Sequence, residues 1–127
     1  MKIISAALLA ALLLTGCAAQ PEEPTFRQIG MDEAITMMAE ETGYIILDVR
    51  RADEFAAGHI PGAMNIANED IGGEELPALP DKDQLILVYC RSGNRSKQAA
   101  QKLAELGYTN IVEFGGILDW PGEIELP

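Results

Sequence analysis

Only two cysteines, one histidine and one tryptophan stand among 127 residues, and nine lysines and arginines face twenty aspartates and glutamates. Each scarcity removes a class of function. A lone His59 with no pair of free thiols cannot assemble a zinc site, so no metal and no cofactor is expected. Two cysteines cannot build a disulfide framework, and the fold must rest on its apolar core. The net charge of −11 excludes nucleic acid as a partner, because no basic face exists to neutralise phosphates. No apolar run is long enough to cross a bilayer. The longest, Ile3 to Leu14, would reach ~18 Å as a helix against a hydrocarbon core of ~30 Å.

That run follows Lys2 and precedes Leu14-Thr15-Gly16-Cys17. A short basic start, an apolar stretch and small residues have the form of a secretory signal. The last four residues resemble the bacterial lipobox, in which cleavage precedes the cysteine and its sulfur takes a diacylglyceryl group. Residues 1–16 are therefore expected to be a lipoprotein signal peptide, and residues 17–25 a lipidated terminus and tether. Residues 26–127 would form one domain. The mature chain would sit outside the cytoplasm, held at a bacterial membrane through lipid on Cys17. With Lys2 removed, eight basic residues face twenty acidic ones, a net −12. Attachment would rest on the lipid rather than on attraction to anionic headgroups.

Cys90 is then the only free thiol of an exported domain. It ends the apolar run Leu85 to Tyr89 and opens the segment Cys90-Arg91-Ser92-Gly93-Asn94-Arg95-Ser96, behind which a helical pattern begins. From Cys90 to Lys97 there are three cations and no acid, a local reversal within an acidic chain. Loop amides, a helix N-terminus and nearby guanidinium groups all favour negative charge, and the thiolate is the nucleophilic form of cysteine. Gly93 allows the sharp turn that such a loop needs.

The rest of the chain alternates strands and helices. Phe26 to Ile29 is expected as a short edge strand. Met31, Ala34, Ile35 and Met38 have helical spacing within 30–42. Tyr44 to Leu47 reads as a buried parallel strand ending at Asp48. A short helix over 51–57, a strand over 63–67 and a loop over 68–80 with at most one helical turn follow. Leu85 to Tyr89 is the next strand. Arg95 to Leu106 forms a helix with Ala99, Leu103 and Leu106 on one face. Ile111 to Phe114 makes the last strand, and Ile117 to Trp120 a final turn. This alternation implies an α/β fold with a mostly parallel sheet. Asp48 and Cys90 both end strands, where ligands of open parallel sheets sit, and are expected to face one pocket. Arg50 and Glu54, four apart, are expected to pair.

Four blocks together resemble a single-domain rhodanese: Leu47-Asp48-Val49-Arg50; Glu54-Phe55 with Gly58-His59-Ile60-Pro61-Gly62-Ala63; the loop Cys90 to Ser96; and Gly115-Gly116 with Trp120. The resemblance covers residues 26 to 124. It implies a three-layer α/β/α fold and sulfurtransferase activity, with Cys90 as nucleophile and persulfide carrier. The residues Arg91, Ser92, Gly93, Asn94, Arg95 and Ser96 would hold the persulfide or donor. Their amides would cradle the sulfur anion, and Arg91 and Arg95 would meet its charge or a sulfonate. Arg95 would otherwise brace the loop through its carbonyls. The implied partners are a small sulfur-containing anion such as thiosulfate as donor and a thiol or cyanide-like acceptor, small or protein-borne. His59 would belong to a structural turn and Trp120 to packing at the rim. The related cysteine phosphatases place five residues between cysteine and arginine, and here four separate Cys90 from Arg95. The shorter loop implies a pocket for sulfur rather than phosphate or arsenate. A sulfur or polysulfide carrier with little turnover is the alternative on the same site.

Overall fold

The computed structural model describes residues 23–127. The signal-peptide segment 1–16 and the lipid attachment site Cys17 lie outside the described residues. Among the described residues, five strands and three helices make the fold. In chain order they are β1 (Arg27–Gln28), α1 (Met31–Glu40), β2 (Ile45–Asp48), α2 (Ala52–Ala56), β3 (Met64–Asn65), β4 (Ile86–Cys90), α3 (Asn94–Glu105) and β5 (Ile111–Gly116). Single 3-10 turns occupy Asn68–Asp70 and Ile117–Asp119.

The strands form one sheet in the order β1-β5-β4-β2-β3, and every pair is parallel. The apolar strands lie inside it. All five residues of β4 are buried, as a parallel strand covered on both faces requires. Alternation along the strands divides the core in two. Leu47, Val49, Ile86, Val88 and Cys90 face Ala99, Ala100 and Leu103 of α3. Ile46, Leu87, Tyr89, Val112 and Phe114 face Ala34 of α1 on the opposite side. The architecture is thus the expected three-layer α/β/α sandwich.

Two strands end two residues away from their sequence expectation. β3 is limited to two residues: the Ile66 N–H still makes the ladder bond to the Asp48 carbonyl, and beyond it the Asn68 N–H bonds the Val49 carbonyl out of register as the 3-10 turn begins. β5 continues through both glycines to Gly116. Its register against β4 shifts between Val88 and Cys90, so that Cys90 pairs with Gly116. That irregularity sets the strand end on which the Cys90 loop rests.

Candidate functional site

Cys90 lies at the carboxyl end of β4, 1% exposed. Its loop returns over Sγ at once. The Gly93 N–H donates to Sγ at 3.0 Å. Gly93 takes φ +111°, a left-handed conformation that a side chain rarely adopts. It is also the N-cap of α3, so Asn94, Arg95 and Ser96 open the helix with amides that have no intrahelical acceptor. No acid stands in that first turn. Gly116 closes the loop from below: a Cβ there would collide with the Arg91 carbonyl. The Arg91 carbonyl in turn accepts the Leu118 N–H at 3.2 Å.

The loop side chains divide by position. Arg91, Ser92 and Asn94 are exposed, and Gly93 and Ser96 are buried. Arg91 makes no ion pair among the described residues. Arg95 is engaged. Its Nη1 and Nη2 donate to the two oxygens of Glu54 at 2.6 and 3.0 Å. This fork holds the Glu54 carboxyl down from its ordinary 4.5 to about 2, and raises the Arg95 guanidinium. The partner of Arg95 is thus Glu54 of α2, and no loop carbonyl accepts from it among the described residues.

Ser96 stands under the loop. Cys90 Sγ donates to Ser96 Oγ at 3.4 Å, and Ser96 Oγ donates to Glu113 Oε1 at 2.7 Å. Glu113 is 2% exposed and also accepts the Gly115 N–H at 2.8 Å. The sequence reading passed over this carboxylate. Its signal was present: a charged residue at an inward position of an apolar strand, between Val112 and Phe114, must have buried partners. A cleft of about 510 Å³ borders the site, lined in part by Ser92, Gly93, Lys97, Glu113 and Asp119.

Two expectations fail here. Asp48 does not face the Cys90 pocket. It pairs in register with Tyr89, the neighbour of Cys90, and alternation sends both to the other face of the sheet. There Asp48 accepts the Tyr89 hydroxyl at 2.6 Å and two guanidinium nitrogens of Arg50, the closer at 2.7 Å. Burial, together with the hydrogen bond to the Asp48 carboxylate, pushes the Tyr89 phenol up. Nor does Arg50 pair with Glu54. Arg50 precedes the helix, whose N-cap is Arg51, so helical spacing does not apply, and it reaches Asp48 and the Gly58 carbonyl. His59 serves the turn, stacked on Phe55 at 3.8 Å with Nδ1 3.1 Å from the Phe55 carbonyl. Trp120 packs against the α1-side core and donates Nε1–H to the Glu123 carbonyl.

Comparison with known proteins agrees with this arrangement. Residues 31–123 match the model of the rhodanese-like domain family. The thiosulfate sulfurtransferase GlpE of Pseudomonas entomophila is 34% identical over 103 residues, 77% of this chain and 91% of that protein. Escherichia coli thiosulfate sulfurtransferase PspE is 37% identical over 73 residues, 58% of this chain and 70% of that one. Among solved structures, an E. coli rhodanese with anions superposes with a TM-score of 0.60 at 32% identity, covering 66% of this chain and 99% of its own. A rhodanese-like domain from Anabaena reaches 0.72 at 27% identity, covering 81% of both. With the fold, the loop and these likenesses in agreement, the chain belongs to the rhodanese-like family of sulfurtransferases.

Proposed function

We propose that this domain moves sulfane sulfur from a small anionic donor such as thiosulfate to a thiophilic acceptor through a persulfide on Cys90. The observation that carries the proposal is the Gly93 amide aimed at Sγ beneath a turn of free helix amides. Such a ring of donors, fixed before reaction, is suited to hold a sulfur anion. In the first half-reaction the Cys90 thiolate attacks the outer sulfur of thiosulfate. A bond forms between the two sulfurs, the donor's S–S bond breaks, and sulfite leaves with the electron pair. In the second, a thiolate or cyanide attacks the outer sulfur of the persulfide, and Cys90 leaves as thiolate. This is ping-pong chemistry on one nucleophile.

The loop residues have distinct parts in this reading. The amides of Gly93, Asn94, Arg95 and Ser96 face the sulfur anion, and Ser92 shapes the mouth. Exposed Arg91 is the cation free to meet a sulfonate, while Arg95 holds the loop through Glu54. Incubation with thiosulfate should add the mass of one sulfur to the chain, and cyanide should then release it as thiocyanate. Cys90→Ser should abolish both. An adduct without turnover would instead support a sulfur carrier, and an absent adduct would remove the proposal. The same reading has the domain lipid-anchored outside the cytoplasm, supported by Leu14-Thr15-Gly16-Cys17 behind its apolar run. Cys17→Ala should release the protein from membranes, and unchanged retention would refute the anchor.

A further inference from the structure

Two buried carboxylates lie near the carboxyl end of the sheet, and their surroundings differ. Asp48 is matched by the Arg50 guanidinium. Glu113 meets no cation among the described residues. Its donors are the Ser96 hydroxyl and the Gly115 amide. Ser96 has one hydroxyl proton and three oxygens in reach: Glu113 Oε1 at 2.7 Å, the Gly93 carbonyl at 2.9 Å and the Gly115 carbonyl at 3.3 Å. The carboxylate is both the nearest and the charged acceptor, so it takes the proton. The Ser96 oxygen is then free to accept from Cys90 Sγ at 3.4 Å. Thiol, hydroxyl and carboxylate form an unbroken line, all three groups buried.

We propose that the Cys90 thiol and the Glu113 carboxylate hold one proton between them through the Ser96 hydroxyl, making Glu113 the internal acceptor that frees the thiolate. The transfer balances within the chain. The Cys90 S–H bond breaks and leaves its electron pair on sulfur, and an O–H bond forms at Ser96. Ser96 gives its own proton to Glu113 Oε1. One negative charge moves from Glu113 to Cys90, where the Gly93 amide already points. All donor directions then reverse, with Glu113 donating to Ser96 and Ser96 to sulfur. Glu113 acts through Ser96 and is a positioning residue of the site.

The other charged groups do not replace this partner. On the sulfur side stand Arg91 and Arg95, and Arg95 is already forked on Glu54. On the Glu113 side, Lys97 of α3, Glu33 of α1 and Asp119 line the open cleft, where water screens them. β1 contributes uncharged Gln28 opposite Glu113, and β4 contributes Val88.

The inference rests on Cys90 being the nucleophile, but its test reads the thiol alone, so a chain that fails to move sulfur still reports on the shared proton. The full chain carrying Cys17→Ala leaves Cys90 as the only thiol. Its rate of alkylation by iodoacetamide is followed by mass from acid to alkaline pH. Groups coupled by more than about one pK unit lose their protons in two steps that belong to the pair. Two steps are expected in this parent. Glu113→Gln keeps a carbonyl for Ser96 and Gly115 but takes no proton, so the acid-side step should be lost, leaving one step at higher pH. A single step in the parent overturns the proposal without any variant. Two steps persisting in Glu113→Gln, with thermal melting showing it folded, overturn it as well.

Discussion

Gly116 allows the loop to close onto β5, because Arg91's carbonyl and the Ser92 amide occupy the space where a side chain would begin. Backbone atoms cannot rotate aside as a side-chain tip can. Gly116→Ala must therefore push the loop away from Cys90, at a stability cost of about 1–3 kcal/mol. A displacement near 1 Å at reacting groups can cost about a hundredfold in rate. Thiocyanate formation by Gly116→Ala should thus fall far more than its melting temperature suggests, and equal losses would show that the loop tolerates the shift. Cys90, Gly93 and Ser96 were legible in the sequence because the loop's chemistry is local: sulfur, turn and hydroxyl lie within seven residues. Glu113 showed only as a charge within an apolar strand, and its partner could not be read, because Ser96 lies seventeen residues away on another element.

At the scale of elements, α2 fully buries none of its five residues and, beside the Phe55–His59 stack, is held by polar contacts. The Glu54 carboxylate accepts the Arg51 N–H at 3.2 Å and joins α2 to the start of α3 through Arg95. Sequence spacing suggested Arg50 for Glu54, since only near neighbours are visible in a linear chain. The true partner lies 41 residues away and is delivered by the β4–α3 loop. The pair has a pH signature. Arg95 holds the folded Glu54 near 2, against an ordinary value of 4.5. A folded value below the unfolded one stabilises the protein above the unfolded value, and that stability is lost as pH falls through the folded one. The window is therefore pH 4.5 down to 2. Glu54→Gln should flatten the fall of melting temperature across that window. At neutral pH it should cost only about 1 kcal/mol, because the pair is partly exposed to water. An acid limb as steep as that of the unsubstituted chain would place the acid sensitivity elsewhere.

Across the whole molecule, an α/β fold with a parallel sheet followed from alternating apolar runs and helical patterns, but the order β1-β5-β4-β2-β3 did not. That order pairs the first strand with the last, and such a closure depends on which faces fit together rather than on local pattern. The C-terminal strap was equally invisible. Glu125 and His59 exchange backbone N–H bonds at 2.8 and 3.0 Å, an antiparallel bridge across the Gly58–Gly62 turn. The Glu125 carboxylate also accepts the Gly62 N–H at 2.9 Å and lies 3.4 Å from His59 Nε2. These bonds span up to 63 residues and tie the chain's end to the segment between α2 and β3. Glu125→Ala leaves the backbone bridge and removes both side-chain contacts. One hydrogen bond contributes about 1 kcal/mol net, which corresponds to about 4 °C or more in a domain of this size. Removal of residues 124–127 also takes away the bridge and the Ile124 side chain that covers Gly58, so its loss should be larger. Thermal melting of the two variants beside the unsubstituted chain tests the ordering. Equal stability in all three would mean that the strap rests on the domain without holding it.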